Sequence, residues 1–169
     1  MKKPEDFGIT KYDKKKFKKT GILDCFQNVN LSNLKLTKIP FNFGTIEGFF
    51  SCSNNNLNSL KGSPRIVSGS FYCFNNKLKS LKNSPEKVFC DFYCDNNKLK
   101  SLKNISECHR DVYCEENPID MTVKDWIEVL EKCPNSDLFK YCQITSDNST
   151  YENVLNCLKE KLAILEALD

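Results

Sequence analysis

The sequence predicts an α/β repeat solenoid with a short parallel β-sheet along its concave side and helices closing its C-terminal end. Three observations predict it. Cys52, Cys73, Cys94 and Cys114 recur at intervals of 21, 21 and 20 residues, and Leu31 stands another 21 before the first. Whole phrases travel with them, so that "FYCFNNKLKSL" at 71–81 returns as "FYCDNNKLKSL" at 92–102. Beyond residue 122 the period stops and apolar residues fall at helical spacing. A fixed period of about 20 residues is the signature of stacked supersecondary units.

The columns define the unit. Two positions before the cysteine slot stand Val29, Phe50, Phe71, Phe92 and Val112, and six before it Ile46, Val67, Val88 and Cys108. Asn55, Asn76, Asn97 and Asn117 lie three after it. Leu36, Leu57, Leu78, Leu99 and Ile119 follow at five, then Ile39, Leu60, Leu81 and Leu102 at eight. The alternation apolar-x-Cys predicts a short strand with both side chains inward, and Asn-x-Leu-x-x-Leu predicts the turn that brings the chain back. One coil has too little apolar surface to offset the entropy of ordering its own backbone, so neighbours must stack. At the corner, a buried asparagine amide pairs backbone groups that the ladder leaves open. Leu34 takes that place in the first coil, which predicts an atypical coil against the N-terminal cap.

This unit, apolar-x-Cys-x-x-Asn-x-Leu-x-x-Leu, resembles the leucine-rich repeat, with cysteine in the second leucine slot, over residues 29–122. The phrases "LTKIPFNFG", "FYCFNNKLKSLKNSPEKV" and "ENPID" are similar to the short-repeat leucine-rich proteins of tailed bacteriophages and some bacteria. The resemblance implies about five coils and a phage-like origin.

Three regions follow: a basic N-terminal segment and cap over 1–28, the repeats over 29–122, and a helical C-terminal cap over 123–169. At the front, Leu23 and Cys25 alternate ahead of Val29, which predicts an irregular strand or hairpin. At the back, Thr122 is placed to cap a helix with Val123, Trp126, Ile127 and Leu130 on one face. Ser149 and Glu152 form a capping-box pattern before a helix with Val154, Leu155, Leu158, Leu162 and Leu165 inward.

Composition narrows the class of function. A chain of 169 residues fits one domain. Its basic start, "MKKPEDFGITKYDKKKFKK", has no apolar run of signal-peptide length, and no later stretch approaches a membrane span. The expected setting is cytoplasmic, with the ten cysteines reduced, or the virion if the protein is a particle component. A net charge of +3 does not by itself imply a nucleic-acid partner.

Cys90, Cys94, Cys108, His109 and Cys114 contain enough sulfur and nitrogen for a zinc site. Their spacing argues against one, because Cys94, Cys108 and Cys114 occupy core columns and the tight ligand spacing of zinc sites is missing. His109 falls in the least regular repeat, where a solvated loop position is expected. No nucleophile, phosphate-loop or paired-carboxylate arrangement stands out, so the sequence predicts no enzyme, no cofactor, no metal and no small-molecule substrate.

Recognition is expected on the outward strand positions. Phe49, Ser51, Ser53, Ser70, Tyr72, Phe74, Asp91, Tyr93, Asp95, Asp111, Tyr113 and Glu115 face away from the core in this reading. The candidate partner-binding set is Phe49, Tyr72, Phe74, Asp91, Tyr93, Asp95, Asp111, Tyr113 and Glu115. Tyr72, Tyr93 and Tyr113 form a column about 5 Å apart per coil, with phenylalanines at one end and carboxylates at the other. Rigid tyrosines give a large contact area at little entropic cost. The expected function is a protein–protein interaction module holding a host or phage protein. The second reading is a virion structural or assembly component. The third is nucleic-acid binding through the rows Lys77/Lys98, Lys79/Lys100 and Lys61/Lys82/Lys103, which have no interleaved aromatics for base stacking. Lys35 and Lys38 join these rows, and the leading cluster Lys14, Lys15, Lys16, Lys18 and Lys19 extends them.

Overall fold

Each turn of the chain lays down two short strands rather than one. The computed structural model describes residues 2–138 and 151–167, with only the backbone of Tyr151. The first sheet runs β1 (Ile22–Cys25), β3 (Asn42–Ile46), β5 (Ile66–Val67), β7 (Lys87–Val88) and β9 (Glu107–Cys108), in that order. The second runs β2 (Val29–Asn30), β4 (Phe50–Ser51), β6 (Phe71–Tyr72), β8 (Phe92–Tyr93) and β10 (Val112–Tyr113). All these pairs are parallel, and the five rungs of each sheet bound about four turns of a β-solenoid.

The second sheet's rungs are the expected apolar-x-Cys strands. The first sheet is an addition, and its inward residues are the column Ile46, Val67, Val88 and Cys108, all buried. Phe50 pairs with Phe71 and Phe71 with Phe92 in register, so like side chains stack along the axis. Their ring centroids are 5.8 Å and 5.2 Å apart. The leucines of the return segment fill the rest of the core.

Corners between the sheets are set by backbone conformation. Asn54, Asn75 and Asn96 take left-handed φ of 54°, 52° and 47°, which asparagine tolerates better than most residues. Asn75 Nδ2 donates to Asn54 Oδ1 and Asn96 Nδ2 to Asn75 Oδ1, both at 2.7 Å, forming an exposed amide ladder. The return turn has a similar column, Gly62, Asn83 and Asn104, with φ of 97°, 66° and 65°. A side chain at Gly62 would meet the Phe41 carbonyl oxygen at 2.5 Å, so glycine is required there by space as well as by φ.

The inward asparagine column, buried at Asn55 and Asn97 and half-buried at Asn76 and Asn117, bonds as its position predicts. Asn55, Asn76, Asn97 and Asn117 each donate through Nδ2 to carbonyls of their own and the preceding turn. Through Oδ1 they accept from Leu36, Leu57, Leu78 and Leu99 backbone N–H groups of the preceding turn. Asn55 also accepts from Leu34 N, and the Leu34 side chain itself is 46% exposed at the open corner.

At the front, the lysine run forms α1 (Lys14–Thr20), capped by Asp13 Oδ1 accepting from Lys16 N and ended by left-handed Gly21. Lys16 pairs with Asp24, whose carboxylate also accepts from Thr45 N. The segment "ILDCFQNVNLS" is not a hairpin. Its two strands, β1 and β2, belong to different sheets, because the corner between them repeats the corner of every later turn.

At the back, α2 (Val123–Lys132) starts where Thr122 Oγ1 accepts from Asp125 N. Trp126, Ile127, Val129 and Leu130 are buried in the same core cluster as the solenoid leucines, and Val123 is half-buried. Cys133 Sγ donates to Ser106 O, tying the end of α2 to the first sheet's side. α3 (Tyr151–Glu166) packs on α2 with Val154 and Leu158 buried and an ion pair of 2.7 Å from Lys159 to Glu131. Leu165, expected inward, is 46% exposed: burial on this face fades along the helix, from Val154 and Leu158 through half-buried Leu162. Ser149 of the capping-box pattern lies outside the described residues. Among the described residues, no helix is long and apolar enough to cross a membrane.

The thiols belong to this core. Cys52, Cys73, Cys94 and Cys114 are buried in one column. Burial pushes Cys52 and Cys114 up to about 12, and Cys73 and Cys94 well above the ordinary thiol value. Since the thiolate is the reacting species, these four should label with a thiol reagent only on unfolding. Exposed Cys157 should label at once and half-buried Cys90 more slowly. Mass-spectrometric site mapping of a native labelling time course reads this directly, and fast labelling in the column would break the packing described above.

Candidate functional site

The second sheet's outer face carries three side-chain columns. The middle one holds Tyr72, Tyr93 and Tyr113, each in register with the next. Their rings stack at 4.8 Å and 16° for Tyr72–Tyr93, and at 4.4 Å and 2° for Tyr93–Tyr113. Parallel in-register pairing produces this directly, because the residue immediately before each cysteine of the column recurs one strand spacing away.

Phe49 and Phe74 flank the ladder's first tyrosine. Their rings meet Tyr72 edge-on at 6.0 Å and 6.4 Å, and both are half-buried rather than fully displayed. Ser51 and Ser53, expected outward, are buried: Ser51 pairs in register with Tyr72, and the two hydroxyls lie 3.0 Å apart. Small side chains beside a much larger in-register neighbour are shielded by it.

Carboxylates flank the other end. Asp91 accepts from Ser70 Oγ at 3.4 Å and from Asp111 N at 3.3 Å, so it is held at the corner beside Tyr93. Burial, followed by the Asp91 charge, pushes the Tyr93 phenol up to about 12. Asp95 and Glu115 occupy successive rungs of the third column. Burial first, and then a hydrogen bond shared with Glu115, raise the Asp95 carboxyl to about 6. All nine sequence-chosen residues therefore lie on or immediately beside one face, graded from aromatic at one end to acidic at the other.

The raised carboxyl has a measurable consequence. A group whose folded pKa lies above its unfolded value of 3.8 binds its proton more tightly in the native state, so stability falls as pH rises from about 4 to about 6. Asp95→Asn should flatten that limb of the pH profile and raise stability at neutral pH by about 1 kcal/mol, after allowance for solvent screening. Urea denaturation at a series of pH values checks it. An unchanged limb in the variant would place the coupling elsewhere.

The remaining candidates separate from this face. Cys94, Cys108 and Cys114 are buried, and Cys108 Sγ donates to Cys90 O at 3.1 Å. Among the described residues, no group of three or more His, Cys, Asp or Glu is arranged to hold a metal ion. His109 lies in the loop corner after β9, as expected, with its side chain 40% exposed beside the Phe89 ring at 4.9 Å and Glu107 Oε1 at 3.3 Å. The seven lysines of the turn rows are exposed, and Lys103 pairs with Asp125 at 2.7 Å. No protein-family model, curated protein or solved structure matches the chain.

Sequence reasoning missed the exposed amide ladder of Asn54, Asn75 and Asn96, which borders the tyrosine face. The repeated Asn-Asn pair was the available signal, because one member turns inward to the corner carbonyls and the other takes the left-handed corner. Also missed was an aromatic cluster near the N-terminus, where Phe7 and Phe17 meet Phe41 at 5.6 Å and 6.2 Å.

Proposed function

We propose that this chain is a non-enzymatic protein-interaction module that holds a partner through its tyrosine face. The observation that carries the reading is the stacked ladder Tyr72–Tyr93–Tyr113 on a rigid sheet, half-buried and bordered by Asp91, Asp95, Asp111 and Glu115. Stacking fixes the ring orientations before binding, which lowers the entropy lost on contact. The acidic end suits a partner with a basic or mixed patch. In the same reading, the repeat is a leucine-rich repeat of phage-like origin, supported by the inward asparagine column and the leucine slots. The C-terminal helices seal the last turn, supported by the Cys133–Ser106 contact. The partner is a host or phage protein met in the cytoplasm.

The test is affinity capture from the cells in which the protein acts, with Tyr93→Ala/Tyr113→Ala as comparison. One partner recovered stoichiometrically by the parent should fall at least tenfold with the variant, the loss expected of paired hot-spot tyrosines. Thermal unfolding of the variant should stay cooperative and shift down by several degrees, from the loss of two ring contacts of about 0.5 to 1.5 kcal/mol each. Undiminished capture by a folded variant overturns the assignment of the face. Recovery of the protein in fixed ratio from purified particles would instead favour the virion reading.

A further inference from the structure

At the opposite end of the molecule, the 3-10 turn Pro4–Phe7, α1 and the segment 35–41 of the first turn enclose a groove of about 610 Å³. Its floor is apolar: Phe7, Phe17, Leu36 and Phe41, none of them fully buried. Lys2, Lys3, Lys35 and Lys38 surround it. Among the described residues, none of these four ammonium groups is in an ion pair. The Lys2 Nζ lies 5.4 Å over the Phe7 ring instead.

The charge of the whole region is one-sided. Residues 1–40 hold ten lysines against four acidic residues, a surplus of six in a chain whose net charge is +3, so the rest of the chain is net negative. An apolar floor with an unpaired cationic rim is the complement of a ligand with an apolar body and negative flanks. We propose that this groove docks an acidic peptide segment carrying large apolar side chains, at a site separate from the tyrosine face. The volume is that of an ordinary ligand cleft. A nucleic-acid strand needs a cationic track that follows its regularly spaced phosphates. Here the lysines instead line one short depression together with its aromatic floor, which suits apolar groups and charges close together over a few residues. A membrane surface needs apolar side chains that protrude, whereas these line a recess.

Fluorescence anisotropy of the full chain with a labelled peptide in which glutamates alternate with leucine and phenylalanine tests the proposal. Binding should weaken at least tenfold when the peptide's glutamates become glutamines. It should weaken comparably when its leucines and phenylalanines become serines, since charge alone does not use the floor. Lys35→Glu/Lys38→Glu changes only exposed side chains and should also lose at least tenfold. Tyr93→Ala/Tyr113→Ala should bind the peptide as the parent does, which separates this site from the proposed partner face. Four results overturn the proposal: equal binding of the serine peptide, indifference to the lysine reversal, tighter binding of a single-stranded oligonucleotide, or tighter binding of vesicles of anionic lipid. Sedimentation of the chain alone reads one further occupant, the acidic face of a second copy. Self-association abolished by Lys35→Glu/Lys38→Glu would replace the peptide with that occupant.

Discussion

Asn97→Ala is expected to destabilise the protein by about 3 to 5 kcal/mol, from the loss of one side chain's hydrogen bonds inside a corner. Asn97 is buried, and its Nδ2 lies 3.1 Å from each of the Cys73, Cys94 and Asp95 carbonyl oxygens. Its Oδ1 accepts from Leu78 N at 3.0 Å. An amide has two donor protons, so the three carbonyls share them, but alanine supplies none and also leaves the Leu78 N–H without its acceptor. Each buried group so orphaned costs about 1 to 3 kcal/mol. Asn97→Asp should be no better, since it keeps the acceptor while aiming negative charge at three carbonyls. The adjacent Asn96→Ala is the control: it loses one exposed bond of 2.7 Å and a tolerated left-handed conformation, about 1 kcal/mol together. Urea denaturation of the three variants reads the order, and equal losses at 96 and 97 would remove the inward column from its structural role.

That column, and the strand beside it, were legible in the sequence because each rung there displays two inward residues flanking an outward one. The pair Phe71 and Cys73 around Tyr72 shows period-two alternation, and the 21-residue spacing repeats it until chance is excluded. The first sheet was not legible for the complementary reason. Its rungs β5, β7 and β9 are two residues long, each with a single inward side chain, so Val67, Val88 and Cys108 form a column without any alternation to mark a strand. Hydrogen bonding between turns makes them strands, and only stacking reveals that. The tyrosine face was found because alternation places Tyr72, Tyr93 and Tyr113 opposite the core. How far each side chain is covered was not found, because coverage depends on the neighbouring rung: Ser51 lies beside Tyr72, whereas Tyr113 lies beside another tyrosine. The N-terminal groove was not legible from the period alone. One wall, 2–17, lies ahead of the repeat, and the other, 35–41, belongs to the first turn, so the two meet only after that turn has formed.

The stacked phenylalanines give the second large effect, and with it a change in how the molecule unfolds. Phe71 is fully buried on β6, the middle rung of the second sheet, with Phe50 stacked at 5.8 Å and 7° on one side and Phe92 at 5.2 Å on the other. Phe71→Ala should cost about 3 to 5 kcal/mol, the range for emptying a phenylalanine site in a core. Phe71→Leu, which keeps most of the volume, should cost less than about 1.5 kcal/mol. The alanine variant carries a further consequence, because in a solenoid each turn contacts only its neighbours and the coupling between halves passes through the middle rung. Weakening it there should let the β2–β4 side and the β8–β10 side unfold separately, so the urea transition should broaden and its slope fall rather than merely shift. Native-state hydrogen exchange resolves the two halves: amides bonded across β4 and β6, such as Cys52 N to Tyr72 O, should lose protection before Cys94 N to Tyr113 O. A single steep transition at lower urea, with both amides exchanging together, would show that the return-segment leucines couple the turns without the rings.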